Sequence, residues 1–152
     1  MSNEFDMEQS LLGGIMKINS IQADVVAYAL NTLNVNSFFT RVHAEIYKTI
    51  KLLASNNQLF DQLSVASYLA KNSNIEIQEV DRCYYAHCDS NLIRQYTNTI
   101  KDASIERYAL SKLHDIQDLI SNQGNGNIIQ RIGLAESVLS GIIESVDNRK
   151  TK

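Results

Sequence analysis

No proline occurs in the 152 residues, although average usage of about 5% would place several in a chain of this length. Proline removes a backbone donor and breaks helices. Its absence, beside plentiful Leu, Ile, Ala, Lys, Gln and Glu, favours helices over a turn-rich β fold. The length suits one core with one protruding element. The expected fold class is therefore all-α, with a compact helical bundle over 1–90, a long helical hairpin over 91–148 and a charged tail at 149–152.

The spacing of apolar residues predicts seven helices. The first carries Met7, Leu11, Leu12, Ile15 and Met16, with Asp6 as acceptor for a first-turn amide. Its Gly13–Gly14 pair reads either as close backbone packing against another helix or as a frayed end. A second helix covers 21–33, and a third, beginning near Ser37 or Thr40, places Val42, Ile46, Ile50 and Leu53 on one face. Asp61 is the candidate N-cap of a fourth, with Leu63, Ala66, Tyr68 and Leu69 inward. Val80, Cys83, Tyr84 and His87 mark a short fifth.

The longest signal runs from Asn91 to Ile120. Ile93, Tyr96, Ile100 and Ala103 form one stripe; Ile105, Ala109, Leu113, Ile116 and Ile120 form another, so the helix faces two partners. After the polar turn SNQGNGN, Ile128, Ile132, Ala135, Leu139, Ile142 and Val146 repeat at the spacing of a helix seam over 127–148. The two helices make a hairpin. The apolar surplus on Ile142, Ile143 and Val146 is either covered by the rest of the fold or meant for another chain.

A net charge of −3 supplies no field to hold a phosphate backbone, so duplex DNA is not an expected partner and a helix-turn-helix regulator is disfavoured. The one compact basic cluster, Arg149, Lys150 and Lys152, reads as a solvated tail. Two cysteines are too few for a disulfide scaffold, the N-terminus lacks the blocks of a secretion signal, and no apolar run reaches membrane-spanning length. The expected location is the cytoplasm, with no membrane association.

No catalytic chemistry is legible. The glycine-rich QGNGN is not followed by Lys-Ser or Lys-Thr, so the phosphate-cradling GxxxxGK[ST] motif is missing. Cys83, His87 and Cys88 lie close in sequence, yet their spacing matches no tetrahedral zinc pattern and a fourth ligand is lacking. They read as buried thiols and an ordinary core histidine. Asp6, Glu8, Glu76 and Glu79 read as first-turn residues complementing helix dipoles rather than as paired acids and bases. No catalytic, cofactor or metal residue is expected, and no enzyme activity in this chain.

Four blocks resemble the N-terminal domain of DnaB-type replicative DNA helicases. In DMEQSLLGGIM, residues Glu8, Gln9, Ser10, Leu12, Gly13, Gly14 and Met16 fit the family's opening signature, with Met7 where the family usually has Ala. FFTRVHAEIYKTI is similar through Phe39, Arg41, His43, Ile46 and Tyr47, and LFDQLSVASYLAKN through Asp61, Ser64, Val65, Ala66 and Leu69. Asn91, Tyr96, Ile100, Lys101 and Arg107 fit the start of the family's helical hairpin. Val42 replaces a common Pro, and His87, Cys88 and Asp89 replace an Asn-Thr-Pro-like turn.

The resemblance implies a non-catalytic replication domain without the RecA-like ATPase motor, either excised from a longer protein or freestanding. It implies pairing through the hairpins, three dimers forming a collar that docks primase, and a last helix like the linker helix to the motor. Tyr96, Ile100, Ile105, Ala109, Leu113 and Ile116 are then the candidate self-association or primase face, unless they fill the core. Ile132, Ala135, Leu139, Ile142 and Val146 form the candidate docking face of the linker-like helix. The alternative is a freestanding phage or mobile-element protein that loads or blocks a host replicative helicase through that helix.

Overall fold

The structure is a computed structural model and describes residues 2–150, with side chains from 3 to 146. Among the described residues seven α-helices follow one another: α1 (Ser2–Ile18), α2 (Asp24–Thr32), α3 (Arg41–Ser55), α4 (Gln62–Asn72), α5 (Ile77–Tyr85), α6 (Ile93–Ser121) and α7 (Ile128–Lys150). Short 3-10 turns precede α3, α6 and α7, and the described residues contain no strand. The expected all-α class is what the chain adopts. The basic cluster expected at the C-terminus falls outside the described residues, Lys152 entirely and Arg149 and Lys150 in their side chains.

Helix α1 is the axis of the first compact unit, which extends to Ser104. Leu11, Leu12, Ile15 and Met16 are sealed from water, and the two glycines between them are buried as well. A side chain at Gly13 would overlap the Cys83 carbonyl of α5, and a Cβ at Gly14 would sit 3.2 Å from Cys88 Sγ. The amide of Cys88 donates to the Ser10 carbonyl at 3.1 Å. Close packing, not fraying, therefore explains the pair, and α1 continues to Ile18, where Asn19 (φ 54°) turns the chain. The Asn19 side chain then accepts from Phe60 N at 2.7 Å, fixing the approach to α4.

Helix α3 buries His43, Ile46, Tyr47, Ile50 and Leu53. The Tyr47 hydroxyl donates to the Leu33 carbonyl at 2.8 Å, just past the end of α2, and lies 3.1 Å from the Ala29 carbonyl, which already accepts from Leu33 N. On α4 the inward stripe is Val65, Ala66 and Leu69. Leu63, expected inward, is 69% exposed, because it precedes Val65 by about 200° of helical rotation. Asp61 occupies the N-cap position without a side-chain capping bond, and its Oδ1 is buried without a hydrogen-bond partner.

The first turns of α6 belong to this unit. Ile93, Thr97, Ile100 and Ser104 recur at four- and three-residue steps and are all buried. This stripe carries the first unit past residue 90, the boundary expected from the sequence, to Ser104; the second begins at Ile105.

Candidate protein-interaction surface

Two sequence motifs meet inside the first unit. Glu8 of α1 is fully buried, and its carboxylate accepts from Phe39 N (2.7 Å), Thr40 N (3.3 Å) and His43 Nδ1 (2.8 Å). It thus satisfies amides at and just before the start of α3, a helix whose own N-cap Thr40 makes no side-chain bond. The Phe5 ring covers His43 at 4.7 Å. Reading Glu8 as a first-turn residue is therefore corrected: α1 starts at Ser2, its first-turn acid is Glu4, and Asp6 stands in the second turn, exposed. Glu76 and Glu79 do flank the start of α5 as expected.

Both thiols of the Cys83–His87–Cys88 segment are shifted toward the protonated form. Burial pushes the Cys83 thiol up to about 12, with Glu79 and Glu8 adding to the shift, and pushes Cys88 up to about 11. Thiols held protonated at neutral pH are poor nucleophiles. His87 donates from Nδ1 to the Tyr84 carbonyl at 3.0 Å, which leaves Nε2 to accept from the Lys17 ammonium at 3.0 Å.

The second unit, from Ile105 onward, contains the rest of α6, the turn and α7. The turn is held by reciprocal bonds at the start of α7, with Gln130 N donating to Asn127 Oδ1 (2.8 Å) and Asn127 N to Gln130 Oε1 (2.9 Å). Gly126 has φ 106°, a conformation glycine adopts without steric cost. Arg131 of α7 donates to the Gly126 carbonyl (3.1 Å) and to the carbonyl of Ile120 near the end of α6 (2.5 Å), tying both helices to the loop. Further along, Tyr108 OH donates to Ser145 Oγ at 3.3 Å.

Ala135 and Ile142, seven residues apart, are the buried seam of α7, each 8% exposed. Outside the seam the helices remain apolar. Leu110 and Leu113 on α6, and Ile128, Ile129, Ile132, Leu134, Leu139 and Ile143 on α7, are between 43% and 77% exposed. These eight are half of the large exposed apolar side chains on the described residues. The other eight are scattered over the longer first unit, so exposed apolar side chains are denser on the hairpin.

The sequence-derived residues distribute unevenly over these surfaces. Ile100 is 1% exposed in the first unit's core, and Tyr96 packs against that core. Ile105, Ala109 and Ile116 are half-buried, and Leu113 is exposed. On α7, Ile132 and Leu139 are exposed, Val146 is half-buried, and Ala135 and Ile142 are buried. Leu110 and Ile129 stand outside the sequence-derived faces although they are 59% and 77% exposed, and Ile143, expected as apolar surplus, is 57% exposed.

The chain is thus an all-helical domain with a buried motif contact and an apolar-faced hairpin. The family model described as the DnaB-like helicase N-terminal domain matches residues 1–109, and the chain belongs to that family. Comparison with curated protein sequences gives no match. Among solved structures, the N-terminal domain of DnaB helicase from Mycobacterium tuberculosis is similar at TM-score 0.76 and 16% identity, over 90% of this chain and 96% of that one. The corresponding Helicobacter pylori domain, described with its interactions with primase, matches at TM-score 0.68 and 19% identity, over 80% and 94%. A DnaB-like replicative helicase, also described with primase, is similar at TM-score 0.70 and 17% identity, over 97% of this chain but 35% of its own.

Proposed function

We infer that this chain is a non-catalytic assembly and docking domain of the DNA replication machinery, which self-associates through its hairpin and receives primase or the replicative helicase. The observation that carries this reading is the hairpin's uncovered apolar surface, on a fold shared with replicative-helicase collar domains. The described interactions of two similar proteins with primase support the choice of partner class. Leu113, with the half-buried Ile105, Ala109 and Ile116 behind it, forms the α6 side of the self-association face, and Ile132 and Leu139 lead the α7 side. Tyr96 and Ile100 serve the core of the first unit.

The test is gel filtration with light scattering of the chain mixed with the primase, and separately with the replicative helicase, of its host. Co-elution with primase that is lost in Ile132→Asp/Leu139→Asp supports the docking role. No complex with either partner contradicts it. A complex with the helicase alone, abolished by the same pair of substitutions, assigns the chain instead to a loader or inhibitor acting through α7.

A further inference from the structure

The first unit carries an open groove of about 680 Å³ between the end of α3, the loop after it and α4. Leu53 lies along its floor, and Leu59 and Leu63, 64% and 69% exposed, stand on its walls. Leu52, also exposed, borders an adjoining cleft that shares Tyr68 and Asn72 with the groove. Neither Leu59 nor Leu63 contributes to the core.

The polar groups of the groove have one sign. Lys71 is its one charged lining residue and forms no ion pair among the described residues, and no carboxylate lines the groove. Lys48 of the adjoining cleft is likewise unpaired, with Glu45 the one acid there. On a chain of net charge −3, this is a local site where a negatively charged segment is attracted while the surface as a whole repels it. Asn57, Gln58, Ser64 and Ser67 add side-chain hydrogen-bonding groups with no partner among the described residues.

We propose that this α3–α4 groove docks an acidic amphipathic helix of a partner protein, with apolar anchors between Leu59 and Leu63 and a carboxylate on Lys71. A helix fits better than an added strand, because the described residues offer no sheet edge to extend. The inference does not depend on the hairpin's role, since its residues all lie in the first unit.

The probe is a synthetic amidated peptide of about 15 residues, long enough for helix to begin to hold, with Leu at i, i+3, i+4 and i+7 and Glu on the flanks. Its binding to the full chain is read by fluorescence anisotropy, beside the same peptide with every Glu replaced by Lys. The expected result is saturable binding of the acidic peptide with Kd of roughly 10–100 µM. Leu63→Asp should weaken it by about tenfold or more, and Lys71→Glu should reverse the preference between the two peptides. Both side chains are exposed, so unfolding curves of the variants should match the parent. Absence of saturable binding, equal binding of both peptides, or binding untouched by Leu63→Asp would overturn the proposal, as would self-association that Leu63→Asp abolishes.

Discussion

Glu8 accepts three hydrogen bonds in a place closed to water, which makes it the residue whose loss leaves most unsatisfied. Glu8→Ala should destabilise the first unit by about 3–5 kcal/mol, because the Phe39 and Thr40 amides ahead of α3 and the buried His43 ring lose their acceptor together. Urea unfolding monitored by far-UV circular dichroism measures the loss. In sequence the residue looked ordinary: its partners lie 31, 32 and 35 positions away, and no local pattern reports a helix cap supplied from so far. The motif resemblance singled out Glu8 and His43 separately without indicating that they touch. Cys83 makes a second prediction at this scale. Its thiol is raised from 9.0 to about 12 by burial, so the associated stability is complete below pH 9 and declines as the pH rises toward 12. Between pH 7 and 10 the parent should lose about 1.4 kcal/mol more than Cys83→Ala does. Equal losses in urea titrations at the two pH values would remove burial of the thiol as the cause.

The helices themselves were largely legible from period and punctuation. Helices α3 and α6 and the Gly-Asn turn before α7 stand where the apolar spacing placed them, but the buried stripe of α6 runs through Thr97 and Ser104 rather than Tyr96 and Ala103. Details requiring knowledge of the neighbour were not legible. Leu63 joined the expected inward face of α4 because apolarity alone does not say which flank of a short helix is covered. At the glycines the neighbour decides the sign of a substitution. Gly13→Ala should cost about 1–3 kcal/mol or more, since the added methyl meets the Cys83 backbone, which has no freedom to yield. Gly141→Ala in α7, with nothing within 4 Å, should instead stabilise its helix by up to about 1 kcal/mol. Thermal unfolding of the two variants should shift in opposite directions.

At the scale of the whole molecule, the chain separates into a unit organised around α1 and a hairpin unit with little interior of its own. The sequence boundary at residue 90 followed the change to one long helix; the structural boundary at Ser104 follows burial, because a helix can serve one core with its first turns and another surface with its last. That sharing also explains why the expected interface stripe divided, Ile100 going to the core and Leu113 to the outside. The second seam, read as continuous from Ile128 to Val146, splits in the same way between the buried Ala135 and Ile142 and the open Ile132 and Leu139. Among the described residues, α7 buries two and exposes six large apolar side chains, the surface that a partner would cover. The most direct test is the mass of the chain by light scattering during gel filtration, beside Leu113→Asp/Leu139→Asp. The parent should elute as a dimer or a multiple of dimers and the variant as a helical monomer; a monomeric parent, or a variant of unchanged mass, would contradict the account.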